Sequence, residues 1–355
     1  MKKIIDFRSD TVTLPTEKML DAIKNAKLGD DVFQEDPTIN ELENKAAKIM
    51  GKEAALLVPS GTMGNLISIL VHCPRGSEII LGDQAHTFIY EAGGISAFGG
   101  IHSRQLKNKN DGTLDLEEIK SAIRKDNVHF PKTSAITLEN THNLCNGSPI
   151  SAEYCNLVAD IAHSNNMNLH IDGARIFNAS VALDKSVQDL VENVDSLTFC
   201  LSKGLSSPIG SIICGEEYFI YEARRMRKAL GGGMRQAGIV AAAGIVALDT
   251  MVDQIKKDHL NARFLAEGIS NIEGLSIDLN SIKTNILYFD INKERFRSDI
   301  LSKQTLDNTI YPFEIKLDNI HFFESYKNRF RIVTHYGIDE SDVEKLLSVL
   351  KTIIK

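Results

Sequence analysis

Cysteine is scarce in this chain and follows no pattern. Cys73, Cys145, Cys155, Cys200 and Cys214 make an odd number without a Cys-x-x-Cys pair. That excludes a disulfide framework and a cysteine-based metal site, and leaves buried free thiols as the expectation. A long hydrophobic run is also lacking: the longest apolar stretch, residues 237–248 with its glycines counted, falls short of the roughly 18 residues a membrane span needs. No membrane partner is expected. At the N-terminus, Met1-Lys2-Lys3-Ile4-Ile5 meets Asp6 at once, so the apolar core of a signal peptide is missing and a cytoplasmic location is expected. An excess of positive charge is lacking too. Lys and Arg number 40 against 47 Asp and Glu, a formal net charge of -7, which disfavours a nucleic-acid partner. No internal repeat, low-complexity tract or Pro/Gly/Ser-rich linker divides the chain.

What is present is ample core material, 43% hydrophobic residues against 25% charged over 355 residues, enough for one large or two medium domains. Between residues 53 and 215, short apolar runs alternate with helix-period segments. Strands are predicted at 53–58, 78–81, 134–138, 168–171, 196–200 and 209–214, and a helix at 152–164. A second helical stripe is formed by Met63, Leu66, Ile67, Leu70 and Val71. This alternation predicts an α/β fold with a mostly parallel sheet covered by helices, and ligand sites at the carboxyl ends of the strands. One long helical stretch is predicted at 236–269. Strands at 284–291 and 330–334 and a closing helix at 339–354 then read as a smaller α+β unit.

Three segments at strand ends carry candidate chemistry. Pro59-Ser60-Gly61-Thr62-Met63-Gly64-Asn65 is a small-residue turn between a strand and a helix, where free N–H groups and the positive helix end favour a phosphate. It lacks the spacing of a Walker A or dinucleotide loop, and a plain Ser or Thr helix cap is the alternative. His170-Ile171-Asp172-Gly173-Ala174-Arg175 puts a carboxylate at the end of a predicted central strand. A buried carboxylate demands a cation, and a local Asp172–Arg175 ion pair would meet that demand simply. Ser202-Lys203-Gly204 ends the apolar strand 196–200 in a lysine; desolvation at such a mouth lowers an amine's pKa and frees it for Schiff-base chemistry, whereas most strand-end lysines are merely solvated. Together, a phosphate cup, a carboxylate for a pyridinium nitrogen and an amine for an aldehyde suggest pyridoxal 5'-phosphate (PLP).

At this point the chain resembles the low-specificity L-threonine aldolases, of the aspartate-aminotransferase-like fold (fold type I) and its beta-eliminating lyase branch. The likeness runs through Phe7-Arg8-Ser9-Asp10-Thr11-Val12-Thr13, residues 29–38, the 59–65 turn, Glu139-Asn140-Thr141-His142-Asn143, Asp172-Gly173-Ala174-Arg175, residues 200–204 and Gly231-Gly232-Gly233-Met234-Arg235-Gln236-Ala237-Gly238. The resemblance implies a large PLP-binding domain at 16–250 and a smaller domain of 1–15 with 251–355. It implies Lys203 as the Schiff-base lysine, Asp172 as the pyridinium partner, and Gly61, Thr62 and Ser202 as phosphate contacts. His86 would stack on the cofactor ring and His129 would stand near the substrate hydroxyl. Arg175, Ser9 and Arg331 would hold the substrate carboxylate, Arg offering a bidentate fork. Arg329 reads as a solvated decoy, and Arg235 as a group approaching the phosphate, in this fold often from a neighbouring subunit.

The activity implied is retro-aldol cleavage of L-threonine or L-allo-threonine to glycine and acetaldehyde, with His86, His129 or a water between them as base. A homodimer or homotetramer with active sites at the subunit interface is expected, and no metal. Other fold type I reactions, such as serine hydroxymethyl transfer, beta-elimination or transamination, are the nearer alternative; a non-catalytic scaffold is the distant one. Two departures stand out. The family commonly has Tyr-Gly where this chain has Phe33-Gln34, and a Gly-Ala-Pro or Gly-Thr-Pro run where it has Ser206-Ser207-Pro208, which predicts a backbone there that avoids positive φ. The aromatic-rich stretch 309–328 matches no family string.

Overall fold

The computed structural model describes residues 3–292, 294–295, 302–303, 313–317 and 319–354. After a short first strand, β1 (Ile5–Asp6), come β2 (Ala54–Val58), β3 (Glu78–Gly82), β4 (His102–Leu106), β5 (Thr133–Glu139), β6 (Asn168–Asp172), β7 (Ser196–Cys200) and β8 (Ser211–Gly215). Strands β2 to β8 form one sheet in the order β2-β8-β7-β6-β5-β3-β4. From β7 to β4 every pairing is parallel, and β8 runs antiparallel to both its neighbours. Every residue of β3, β5, β7 and β8 is buried, as strands covered on both faces should be. The sequence pattern missed β4 because His102-Ser103-Arg104-Gln105 is polar and has no alternation. It is an edge strand, where polar side chains protect an open ladder.

Parallel pairing puts the carboxyl ends of β3, β5, β6 and β7 on one side, so the segments carrying His86, Asn143, Arg175 and Lys203 all emerge there. The helix Gly61–His72 follows β2 and packs on β6 and β7. Its inward residues are not only the predicted apolar stripe: Asn65 and Ser68 are buried as well. Gly64 makes the close approach possible, since a Cβ there would stand 2.6 Å from Thr198 Cγ2.

The predicted single helix at 236–269 is two, Gly238–Thr250 and Val252–Ser270, bent by 66°. No Gly or Pro marks the break. The first helix packs Ala241, Ala243 and Ala247 into the large core, whereas the second carries Ala262, Leu265 and Ile269 into a separate one. Among the described residues no single helix is long and apolar enough to cross a membrane.

That second core underlies another sheet. Strands β9 (Leu275–Ser276), β10 (Ile286–Ile291), β11 (Ser302–Lys303), β12 (Phe313–Leu317), β13 (Ile320–Tyr326) and β14 (Arg329–Val333) run in the order β11-β12-β13-β14-β10-β9, and β1 adds in parallel to β13. Phe7, Phe289, Phe322 and Phe330 fill its core against the helices Val252–Ser270 and Glu340–Thr352. The unmatched stretch 309–328 is thus partly sheet, in β12 and β13; its residues 309–312 and 318 lie outside the described residues.

Candidate active site

Two cavities meet at the carboxyl ends of β3, β6 and β7. The inner one, about 280 Å³, is lined by Gly61, Thr62, His86, Asp172, Ser202 and Lys203. The outer one, about 610 Å³, is lined by Ser9, His86, Arg175, Lys203, Tyr288 and Arg331. His86 and Lys203 border both. The three strand-end segments therefore converge, joined by residues from β10, β14 and the N-terminal segment.

In the inner cavity Ser60 caps the helix Gly61–His72, its hydroxyl accepting from the Met63 amide, so the positive helix end and its unpaired N–H groups face the space beside Gly61 and Thr62. Asp172 is buried. Its oxygens accept from Asn65 Nδ2 at 2.9 Å and from the Ala174 amide at 3.1 Å. Among the described residues no lysine or arginine pairs with it. The simple ion pair with Arg175 does not form, because Arg175 turns to Asp10 instead. His86 Nδ1 is 2.9 Å from Glu91 Oε1, and its backbone N–H donates to Glu139 Oε2 at 2.7 Å. Burial lowers the proton affinity of His86, but the Glu91 hydrogen bond and the charges of Asp172, Glu91 and Glu139 outweigh it and raise the pKa above 6.5. Burial pushes the Glu91 carboxyl up.

The outer cavity gathers cations. Arg175 Nε and Nη2 each donate to Asp10 at 2.7 Å, so this edge of the guanidinium fork is already occupied. Asp10 is fully buried. Burial disfavours its charge, yet the Arg175 guanidinium holds its carboxyl well below the usual carboxylate range. Arg331 on β14 donates from Nη1 to the Arg8 carbonyl and from Nη2 to Asn143 Oδ1, both at 2.8 Å. Its buried Nε has no hydrogen-bond partner among the described residues. Ser9 accepts from the Thr11 amide at 3.2 Å. Arg329 is solvent-exposed, as expected, and pairs with Asp290 at 3.6 Å, but it does not point to another face: two residues from Arg331 on the same strand, it borders the same cavity and lies 5.2 Å over the Tyr288 ring. The register shift in the β13–β14 ladder falls between Glu324 and Tyr326, so it leaves the alternation of β14 intact.

A profile of the family described as "Beta-eliminating lyase" matches residues 6–292. The chain is 47% identical to a probable low-specificity L-threonine aldolase 2 of Arabidopsis thaliana, over 99% of this chain and 97% of that one. To the low specificity L-threonine aldolase of Escherichia coli K12 it is 44% identical, over 82% and 86% of the two chains. The chain belongs to the beta-eliminating lyase family, on its low-specificity L-threonine aldolase branch. The fold agrees. A threonine aldolase of Leishmania major superposes with a TM-score of 0.76 at 17% identity, over 98% of this chain and 99% of that one. A putative L-allo-threonine aldolase of Listeria monocytogenes gives 0.74 at 19% identity, over 94% and 92%.

Two residues that the family likeness assigns to the site are not brought to it within one chain. His129 is exposed in the loop before β5, its amide on Asn127 Oδ1 at 2.9 Å. The site lies at the other end of that seven-residue strand, roughly 20 Å away at about 3.3 Å per residue. Arg235 is also exposed, pairing with Asp30 at 3.0 Å, and lines neither cavity. Both family departures sit in left-handed backbone. Gln34 has φ 59°, the conformation that the family's usual Gly adopts without strain. Ser206 has φ 58°, against the expectation that this backbone avoids positive φ: the turn is kept and the serine bears it, fully buried with its hydroxyl unpaired among the described residues. Phe33 is exposed and away from both cavities.

The sequence reading missed the residues that hold the functional ones. Asp10 anchors Arg175. Glu139 ties the His86 segment to the Asn143 segment, accepting from the Asn143 amide at 2.8 Å, and Asn143 in turn orients Arg331. Glu91 and Asn65 link His86 to Asp172. Asp10, Glu139 and Asn143 stand inside strings shared with the family. The available signal for Asn65 is a buried amide on a helix whose neighbours are apolar.

Proposed function

We propose that this chain is a PLP-dependent enzyme that cleaves L-threonine and L-allo-threonine to glycine and acetaldehyde. One observation carries the reading: Asp172 is a buried carboxylate with amide donors but no paired lysine or arginine among the described residues, in a cavity that also holds an amine, Lys203, and a helix N-terminus. A burial of this kind calls for a positive group from outside the chain, and a pyridinium supplies it. Lys203 would hold the cofactor aldehyde, Asp172 the ring nitrogen, Gly61, Thr62 and Ser202 the phosphate, with His86 against the ring. Bound there, PLP supplies an electron sink for the charge left on the α carbon when its bond to the β carbon breaks.

The chain's own residues do the rest. Ser9, Arg175 and Arg331 bind the substrate carboxylate in the outer cavity, which fixes the bond from α to β carbon for cleavage. Because Nδ1 of His86 is engaged by Glu91, Nε2 is the nitrogen that accepts the hydroxyl proton, directly or through a water. Asp10 keeps the Arg175 guanidinium from swinging away. The reading includes a division of labour, residues 16–250 binding the cofactor while residues 1–15 with 251–355 close the carboxylate pocket; the two separate cores and the place of β1 in the second sheet support it. It also includes a homodimer or homotetramer with shared sites. The exposure of His129 and Arg235, away from their own chain's cavities, supports a role for them in the site of another copy.

The test is the visible absorption of the purified protein with PLP and acetaldehyde release from both threonine diastereomers, with Lys203→Ala alongside. A lysine-dependent band and acetaldehyde are expected. Their absence from the unsubstituted protein overturns the reading.

A further inference from the structure

Two imidazoles that the proposed reaction leaves unused, His72 and His170, belong to a chain of hydrogen bonds between the helix Gly61–His72 and the sheet. His72 Nε2 lies 2.7 Å from Ser196 Oγ, which lies 2.8 Å from His170 Nδ1. His170 Nε2 is 3.3 Å from Asn65 Oδ1. Asn65 Nδ2 then donates to both Asp172 Oδ2 and Glu91 Oε1, each at 2.9 Å. The same Glu91 oxygen takes the His86 Nδ1 contact. Local geometry builds this seam. His170 and Asp172 alternate onto one face of β6, Ser196 pairs with His170 in parallel register, and Asn65 and His72 stand two helical turns apart.

One arrangement of the protons satisfies all of these contacts. Both amide hydrogens of Asn65 go to carboxylates, so its Oδ1 must accept and His170 Nε2 must carry the hydrogen. Burial pushes the His170 pKa down to about 3 and keeps the ring neutral, which makes Nδ1 an acceptor for the Ser196 hydroxyl. Ser196 Oγ then accepts from His72 Nε2–H; burial, opposed by Asp195, pushes His72 down to about 4. An Asn65 amide turned over would set its oxygen against two carboxylates and leave the His170 N–H facing a donor.

We propose that Asn65, its amide oriented by His170, Ser196 and His72, is a positioning residue that fixes the Asp172 and Glu91 carboxylates relative to one another, and through Glu91 the His86 ring. The role in catalysis rests on the cofactor reading above; the proton arrangement does not.

Two measurements test it. Nitrogen NMR of the imidazoles in the cofactor-free protein should find His170 and His72 neutral with the proton on Nε2, and Asn65→Leu should release that preference in His170. A charged or Nδ1-protonated His170 in the unsubstituted protein overturns the proposal, whatever cofactor binding does. Absorbance titration with PLP is then run on His170→Leu and His170→Gln, the latter retaining a donor near the Nε2 position. His170→Leu should bind PLP about tenfold more weakly and lose kcat with little change in KM, while His170→Gln stays within about threefold of the parent, as for one buried hydrogen bond. Ser196→Ala, which leaves little void, should weaken binding in the same direction by less. Equal, parent-like affinity in both His170 variants and Ser196→Ala, with thermal midpoints matching the parent, overturns the proposal. An unsubstituted protein that shows the Nε2 tautomer but no cofactor band overturns the cofactor reading and, with it, only the catalytic half of this inference.

Discussion

The two cavities differ in how they are made. The inner one is built from short segments that lie beside strands β2, β3, β6, β7 and β8 of one sheet, and its walls belong to that sheet and the helices that follow its strands. The outer one draws Ser9, Asn143, Arg175, Tyr288 and Arg331 from five separate segments and both sheets. Its cations are held by partners remote in sequence: Asp10 for Arg175, and Arg8 and Asn143 for Arg331. A site on one rigid sheet suits a group that stays; a site shared between two sheets suits a substrate that enters and leaves. In this reading the inner cavity governs cofactor chemistry and the outer one substrate binding.

The strongest way to break that division is Asp172→Asn. It should keep the fold, weaken PLP retention and lower kcat by about 10²- to 10³-fold, comparable with the loss of a positioned acid–base group. Absorbance titration and steady-state kinetics give both numbers, and a change in KM alone would contradict the division. The outer counterpart is Arg331→Leu, for which KM for threonine should rise about 10- to 100-fold, as for one or two charged hydrogen bonds, while the cofactor band is unaltered. A lost band would show that Arg331 serves the cofactor.

At the boundary, His86 must be neutral to accept a proton, and its pKa is raised above 6.5 in part by Glu91. The acid limb of kcat/KM should therefore lie above pH 6.5. Glu91→Gln removes a negative charge but keeps an acceptor for Nδ1, so the limb should shift to lower pH, by about half a unit to one unit. A limb that stays in place would remove His86 from the base role. The smallest effect is expected at Arg329, half-exposed and stacked on Tyr288. Arg329→Leu should change KM by only about two- to threefold, consistent with a solvated cation–π contact. A change comparable with Arg331→Leu would make it a direct carboxylate ligand.

The fold was legible where periodicity is local and strong: the buried strands of the large sheet fell within a residue or two of their predicted places. The polar edge strand β4 was not, because what makes it a strand is its neighbour β3. Nor was the 66° bend near Met251, where two cores pull consecutive helices apart and no breaker residue announces it. In the site, Asp172 and Lys203 could be picked out as candidates since each follows an apolar strand by no more than three residues.

By itself, then, the sequence determined the inner cavity, because its chemistry is written in contiguous strings whose geometry follows from strand, turn and helix cap. Tertiary structure alone decided that Arg175 pairs with Asp10 rather than Asp172, that Arg329 borders the outer cavity, that Ser206 occupies a left-handed turn, and that His129 and Arg235 stand away from their own chain's cavities. Each of these depends on sheet register, side-chain direction or the meeting of segments distant along the chain, and periods of 2 and 3.6 residues carry no record of them.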